Sequence, residues 1–393
     1  MKKPKSGLRK AALLFAIPCV AAGGTLLALE LWARWSIARI PEGVVPSGHE
    51  HPPYFNNPGV VTSPKAFGYH LKYRINRVGL RGPETTLEKA RRRILVLGDS
   101  VVFGALVGEE DTLSRQLERI LNAPDTASAE QWEVLNGGTG GYDAWDYEGF
   151  LKLKGLAFSP DIVVVGIYRN DHIKRKVYED TIKIKSKPVR PLMAQIRDLV
   201  FKSELANALM YFVQRHQDPK RPFVSVGKPL SPQDQELIDS FFPGDARTAE
   251  AAKAFLRQYR YDPFLIKDTL PWMLDLRAWD DIIGPMRGIR DECRKRGIPL
   301  IAVALPVQFE LYPGYGWPEP GRRIARILDS LRIPFIDLKP VLASTGRGDE
   351  FYKMRYDYSH PDAQAYALAA SAVASKLREL GLSGSAIKSG GRP

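Results

Sequence analysis

The stretch RILVLGDSVVFG, Arg93 to Gly104, decides the fold of this 393-residue chain. Its apolar run, Ile94 to Leu97, ends at Gly98 and is followed by Asp99 and Ser100, where a helical pattern begins. This order predicts a buried strand, a tight turn and a helix. A serine at such a turn lies at the carboxyl end of a parallel strand, where open α/β sheets bind ligands. Ser100 is therefore either a nucleophile or only the N-cap of the helix.

The second informative motif is Asp357-Tyr358-Ser359-His360, near the other end of the chain. A serine becomes a nucleophile when a base takes its proton, and the base needs a carboxylate that holds its tautomer. His360 would be the base and Asp357 its orienting carboxylate. The two motifs together favour the nucleophile interpretation of Ser100.

A GDS turn early in the chain and a D-x-x-H near its end resemble the SGNH (GDSL) hydrolases. The segment Asn76 to Glu84 is similar to the N-x-x-G-[FL]-R-G-x-E lead-in of membrane-anchored and periplasmic members of that superfamily. The resemblance covers Asn76 to Leu380, apart from a long insertion. It implies a three-layer α/β/α fold with a five-stranded parallel sheet, and an ester hydrolase that works through an acyl-enzyme.

The resemblance also implies an oxyanion hole with three donors. They are the backbone N–H of Ser100, the backbone N–H of Gly141 and the side chain of Asn170. Gly141 ends the spacing N-x-x-x-x-G that starts at Asn136, and Gly140 is its alternative. Asn170 belongs to a block in which Tyr168 stands where the family has glycine. Without the resemblance, a glycine-rich turn and an Asn-Asp turn would be ordinary loop chemistry.

Other polar residues near these motifs have competing interpretations. Arg169 either contacts an anionic substrate or, the preferred alternative, pairs with a surface carboxylate. His172 competes with His360 as the base, but it lacks the D-x-x-H arrangement, and Asp99 is expected to stabilise its turn. His49 and His51 lie in a proline-rich segment and are expected to be solvated, so neither a metal nor a cofactor is predicted.

The N-terminus predicts a membrane anchor. Five basic residues occur within positions 1–10, and the run from Ala11 to Leu29 has no charge. About 20 apolar residues cross a bilayer, and basic flanks stay cytoplasmic. We therefore expect a single-pass protein of the cytoplasmic (inner) membrane, anchored by residues 11–33, whose catalytic domain faces the periplasm or the outside. A signal peptide cleaved after Ala22 is the alternative.

The rest of the chain divides by composition and pattern. Residues 34–90 are predicted to be a tether and lead-in, residues 91–382 the hydrolase domain, and residues 383–393 a disordered tail. Apolar runs alternate with helical patterns through the domain, which indicates a parallel sheet. A mainly helical insertion, about residues 174–268, interrupts this alternation. A hydrophobic content of 44% is typical of a folded protein. The net charge of +13 is not arranged as a basic stripe with aromatics, so nucleic acid is not an expected partner.

These features predict a substrate class but no single substrate. The expected substrates are O-acylated cell-envelope carbohydrates or small esters. The alternatives are an O-acyltransferase for a surface polysaccharide, with a membrane acyl-transfer partner, and a non-catalytic scaffold that retains the fold.

Overall fold

The computed structural model describes residues 21, 23–31, 44–62, 73–124, 131–172, 232–241, 244–247, 249–250, 253–254, 276–311, 317, 319–352 and 359–383. Its strands are β1 (Val44–Pro46), β2 (Tyr54–Asn56), β3 (Val61–Thr62), β4 (Tyr73–Arg74), β5 (Arg92–Leu97), β6 (Trp132–Asn136), β7 (Ile162–Ile167), β8 (Leu300–Ala304) and β9 (Phe335–Asp337). Its α-helices are α1 (Ser100–Phe103), α2 (Leu113–Leu121), α3 (Ala144–Leu153), α4 (Pro232–Phe241), α5 (Ile283–Lys295), α6 (Glu319–Ser330), α7 (Leu338–Ala343) and α8 (Ala363–Glu379).

Five parallel strands form the central sheet, in the order β6-β5-β7-β8-β9. Strand β5 pairs with β6 on one side and with β7 on the other, so the GDS turn follows an interior strand. Every residue of β7 and every residue of β5 after Arg92 is buried. Such continuous apolar strands are typical of parallel sheets that are covered on both faces. The predicted five-stranded parallel sheet is confirmed.

Helices cover both faces of this sheet. On one face α2 and α8 pack against alternate β5 and β7 side chains, including Ile94 and Val164. The alanines of α8 allow that helix to approach closely. On the other face α3, α5 and α6 cover the remaining side chains, including Leu95 and Val165. The predicted three-layer α/β/α arrangement is therefore present.

The segment predicted to be a tether contains regular structure, which corrects that prediction for residues 44–62. Strands β1 and β2 form an antiparallel hairpin, in which Val45 pairs with Phe55. Phe55 packs edge-on against Phe150 of α3, with ring centroids 6.1 Å apart. Strand β3 pairs with β4 in a second antiparallel ladder. Proline and glycine here mark tight turns of a packed segment rather than a free linker.

Several predictions fall mainly outside the described residues. Residues 21 and 23–31 of the predicted anchor are helical, and positions 11–20, 22, 32 and 33 lie outside the described part. Within the described part of the chain, no helix combines the length and the apolar character that a membrane crossing needs. Helix α4 agrees with a helical insertion, most of which is not among the described residues. Positions 384–393 of the predicted tail are also outside them.

Candidate active site

Ser100 is the first residue of α1, directly after the turn that ends β5. Asp99, not Ser100, is the N-cap: its carboxylate accepts the Val101 N–H at 2.8 Å. The N-cap interpretation of Ser100 is therefore wrong. Gly98 keeps this turn tight, because a Cβ there would lie 2.2 Å from Cγ2 of Val102. The serine hydroxyl is left available for a partner outside its own turn.

That partner is His360. Its Nε2 lies 2.8 Å from the Ser100 Oγ, although the two residues are 260 positions apart. His360 precedes α8, whose N-cap Asp362 accepts the N–H groups of Gln364 and Ala365. The Tyr366 hydroxyl donates to the Val101 carbonyl at 2.6 Å, which ties α8 to α1 beside the pair. A direct bond between α8 and α1 thus lies beside the contact of Ser100 with His360.

The predicted carboxylate partner of His360, Asp357, lies outside the described residues. Asp99 is the acid nearest to Ser100 in sequence, and it is fully buried as the cap of α1. Burial raises the pKa of Asp99 to about 6, against the smaller opposing effects of the Val101 N–H and of the charge on His360. Asp99 stabilises the turn, as expected, and the role of Asp357 stays a prediction.

The glycine loop, residues 137–141, runs beside Ser100. A Cβ on Gly138 would lie 2.3 Å from the Phe103 backbone nitrogen, so only glycine permits this approach to α1. A Cβ on Gly140 would lie 3.9 Å from Cβ of Ser100. Gly141 has a φ of +76°, in the left-handed region that glycine adopts readily. The loop that contains both candidate donors, Gly140 and Gly141, is therefore adjacent to Ser100.

Asn170 lies in the turn that follows β7, and its side chain is exposed. The neighbouring Asp171 holds this turn, since its carboxylate accepts the Tyr168 N–H and the Tyr147 hydroxyl, each at 2.7 Å. Burial raises the pKa of Asp171 well above its usual range. The sequence motifs assigned no role to Asp171, although an Asn-Asp pair after a strand is a turn signal. Asn170 is therefore exposed on a turn that the bonds of Asp171 hold in place.

Arg169 is buried and forms a bidentate ion pair. Its Nε and Nη2 donate to the two carboxylate oxygens of Glu310 at 2.9 and 2.6 Å. Glu310 is also buried, so the partner is a core carboxylate rather than the surface carboxylate that we expected. It accepts the Val307 N–H as well, at 2.9 Å, and so joins the loops after β7 and β8. A substrate contact by Arg169 stays a prediction.

His172, the competing base, stacks on Trp279 with ring centroids 4.3 Å apart and is 3% exposed. His51, which we expected to be solvated, is instead half-buried, and its Nδ1 lies 2.9 Å from Oδ1 of Asp146. Burial raises the pKa of Asp146 to about 6, and the neighbouring Asp143 adds to this effect.

Within the described residues, His51, Asp143 and Asp146 form the one group whose ligand atoms are close enough for a metal, within 4.8 Å of one another. Both carboxylates are already used in a capping box at the start of α3: Asp143 accepts the Trp145 and Asp146 N–H groups, and Asp146 accepts that of Asp143. The arrangement is therefore accounted for by helix capping and the contact between His51 and Asp146.

Two residues near the glycine loop could not be singled out from the sequence, because they lie in the supposed tether. The Tyr54 hydroxyl donates to the Gly140 carbonyl at 2.6 Å. The Asn56 amide donates to the Gly138 carbonyl at 3.2 Å and to the Thr139 hydroxyl at 3.1 Å. No local pattern marks either residue, since their partners are more than 80 positions away.

The lead-in motif contacts the segment that follows Ser100. The Asn76 side chain closes the lead-in turn through the Leu80 N–H and the Pro83 carbonyl, at 2.9 and 2.8 Å. The backbone of Arg81 forms a bridge to Asn136 in β6. Its buried guanidinium donates to the carbonyls of Phe103, Gly104 and Val107, where α1 ends. Burial lowers the pKa of Arg81 to about 10.

No family model and no curated protein matches this chain. Similar solved structures include a lipase/acylhydrolase from Enterococcus faecalis, which is 12% identical, covers 74% of this chain and 96% of its own, and has a TM-score of 0.35. The acetylxylan esterase Axe2 from Geobacillus stearothermophilus is 14% identical, with coverages of 76% and 97% and a TM-score of 0.38. The acetyl xylan esterase AlAXEase is 11% identical, with coverages of 72% and 99% and a TM-score of 0.36. A likeness this distant says nothing of the reaction, which has to be argued from the site itself.

Proposed function

We propose that this chain is a serine ester hydrolase that acts through an acyl-enzyme on Ser100. The observation that carries the proposal is the 2.8 Å contact between Ser100 Oγ and His360 Nε2 at the N-terminus of α1. A histidine nitrogen at this distance can take the hydroxyl proton as the oxygen attacks. Ser100 also lies at the carboxyl end of an interior parallel strand, where open α/β sheets bind ligands.

The reaction would proceed in two halves. Ser100 Oγ attacks the ester carbonyl while His360 takes its proton, and the carbonyl oxygen becomes an oxyanion. When the tetrahedral intermediate collapses, His360 gives the proton to the leaving alcohol, and the acyl group stays on Ser100. In the second half, a water oxygen attacks the acyl group while His360 takes a proton from that water. His360 then returns the proton to the Ser100 oxygen, and the acid is released. Asp357 would hold the imidazole in the required tautomer.

The oxyanion needs donors that are already in place. Candidates are the Ser100 N–H at the start of α1, the Gly141 N–H in the glycine loop and the Asn170 side chain. Donors that are aimed at the developing charge contribute more than donors that must reorient. The support for Gly141 is that its loop is adjacent to Ser100, and the support for Asn170 is the rigid turn that displays it.

The proposed substrates are O-acylated carbohydrates of the cell envelope or small esters. The proposed setting is the outer side of the cytoplasmic membrane, with residues 11–33 as the anchor. Both rest on the basic N-terminus, the uncharged run and the lead-in motif. Transfer to a sugar hydroxyl would use the same acyl-enzyme, with the sugar in place of water.

The test is ester turnover by the purified full-length chain in detergent. p-Nitrophenyl acetate and a longer-chain ester are compared, each with and without an acylatable polysaccharide. Turnover that depends on Ser100 supports the proposal, and turnover that rises with the polysaccharide favours transfer. The absence of Ser100-dependent turnover with both esters would favour a non-catalytic scaffold.

A further inference from the structure

The hairpin of β1 and β2 holds the glycine loop by two carbonyl groups. Asn56 donates to the Gly138 carbonyl and Tyr54 donates to the Gly140 carbonyl. The loop itself consists of Gly137, Gly138, Thr139, Gly140 and Gly141. Glycine has the widest backbone freedom, so a loop of this composition cannot hold its peptide planes by its own sterics. The restraint has to come from groups outside it.

Holding a carbonyl also orients the next N–H group. In a trans peptide the C=O of one residue and the N–H of the next lie in one plane and point in opposite directions. The peptide between Gly138 and Thr139 follows this rule: Asn56 holds its oxygen, and its N–H donates to the Gly98 carbonyl at 3.0 Å. By the same rule, the bond from Tyr54 to the Gly140 oxygen turns the Gly141 N–H away from Tyr54.

We propose that Tyr54 is a positioning residue for the oxyanion donor of Gly141. This inference rests on the proposed function. Its hydroxyl does not touch the substrate; it keeps the peptide between Gly140 and Gly141 in the orientation that presents the Gly141 N–H to the carbonyl oxygen of an ester on Ser100. The position of Gly140 beside Ser100 places this peptide next to the reacting atoms.

The hairpin is itself held in place on α3. The His51 imidazole pairs with Asp146 at 2.9 Å. Gly149 provides the space, since a Cβ there would lie 2.1 Å from the His51 carbonyl oxygen. The ring of Tyr54 packs against that of Tyr142, with centroids 5.6 Å apart. These contacts hold the Tyr54 hydroxyl at the Gly140 carbonyl.

The test is Tyr54→Phe, which keeps the ring and removes the hydroxyl. Two substrates are compared on the same sample: an ester that the wild type turns over, and its thionoester, in which sulfur replaces the carbonyl oxygen. Sulfur is a weak hydrogen-bond acceptor, so turnover of the thionoester depends little on the oxyanion donors. We expect kcat for the oxygen ester to fall about 10-fold with KM unchanged, and the ratio of ester to thionoester turnover to fall with it.

Tyr142→Phe is the matched control. The Tyr142 hydroxyl donates to the Tyr54 backbone carbonyl, so its loss weakens the same contact between hairpin and loop without releasing the Gly140 oxygen. Its substrate ratio should stay at the wild-type value. Because both substrates are measured on one sample, the ratio does not depend on the fraction of folded protein.

The outcomes separate the two proposals. Suppose that turnover depends on Ser100, but the ratio of ester to thionoester turnover is unchanged in Tyr54→Phe or falls equally in both tyrosine variants. Either result would overturn the proposed role of Tyr54 and leave the proposed function standing. Ester turnover that persists in Ser100→Ala would overturn the proposed function.

Discussion

The Ser100–His360 pair and the hairpin that holds the glycine loop are built in contrasting ways. Ser100 and His360 are placed by an interior strand that is buried after Arg92 and by a 17-residue helix packed across the sheet. The hairpin has two strands of 3 residues each and is held to the domain largely by individual side-chain bonds. Segments with few buried contacts open at lower free energy than core elements. We therefore expect the Ser100–His360 pair to be robust, whereas the glycine loop depends on a segment that we expect to open more easily.

The largest effect is expected from Ser100→Ala. Turnover should fall by more than about 10⁴-fold, because no other group forms the acyl-enzyme. The stability of the folded chain should hardly change, because Asp99 and not Ser100 caps α1. Ester hydrolysis and thermal unfolding of the purified variant measure the two quantities. A large loss of stability would show that the pair is less securely supported by the core than its packing indicates.

His360→Ala should be nearly as severe, since it leaves the Ser100 hydroxyl without a base. The thermal midpoint should stay close to that of wild type, because Asp362 and Tyr366 hold the start of α8 without the imidazole. His172→Ala is the control for the competing base. A greater loss of turnover in folded His172→Ala than in His360→Ala would reverse the assignment.

Asn170→Ala tests whether the turn after β7 contributes a donor to the oxyanion. If Asn170 donates to the oxyanion, kcat should fall by about 10²–10³ with little change in KM. Stability should be nearly unchanged, because Asp171 and not Asn170 bonds to the Tyr168 N–H and the Tyr147 hydroxyl. A folded variant with full kcat would remove Asn170 from the site.

Gly149→Ala should disturb the packing of the hairpin on α3. The new Cβ would meet the backbone of His51, which cannot move without the hairpin, so we expect a cost of about 1–3 kcal/mol. We also expect a several-fold loss of kcat, because the hairpin bonds to the Gly138 and Gly140 carbonyls.

Gly284→Ala in α5 is the matched control for this change. No heavy atom outside its own helix and its chain neighbours lies within 4 Å of a Cβ at that position, so this variant should keep wild-type turnover. Pro285 restricts the backbone of the residue before it, so we expect no gain in stability, but a smaller cost than that of Gly149→Ala. Equal behaviour of the two alanine variants would contradict the dependence of the loop on the hairpin.

The smallest effect on turnover is expected from Asp146→Asn, which tests the contact between Asp146 and His51 of the hairpin. The pKa of Asp146 is about 6 in the folded chain, against 3.8 for an unperturbed aspartate, so the folded state binds this proton more tightly. The resulting stabilisation is present below about pH 4 and is lost as pH rises through 6. It amounts to about 3 kcal/mol at most.

Asp146→Asn should therefore lose less stability than wild type between pH 4 and 7, as measured by thermal midpoints. Asp99, whose pKa is also about 6, titrates in both proteins, so the two profiles should differ in size and not in direction. Parallel profiles would mean that the protonation of Asp146 does not contribute to the attachment.

Residues whose role depends on neighbours in the chain could be predicted from the sequence. The apolar runs of β5 and β7, and the helical patterns that lie between them in the sequence, predict a parallel sheet. Ser100 and His360 could be singled out because each lies in a short motif at the start of a helix. The roles of Asp357 and Asn170 remain predictions, since Asp357 is outside the described residues and the contacts of Asn170 do not test its role.

Only the tertiary structure decided which distant groups meet. Tyr54 and Asn56 hold the glycine loop across more than 80 positions, and Glu310 reaches Arg169 across 141. Such contacts leave no periodic or local pattern in the sequence, because each requires only one suitable donor or acceptor at the right place in space. The same proline, glycine and asparagine composition is compatible with a free linker or with a packed hairpin. The choice between them depended on a glycine in α3 that leaves room for His51, and on carbonyl groups of the glycine loop that needed donors.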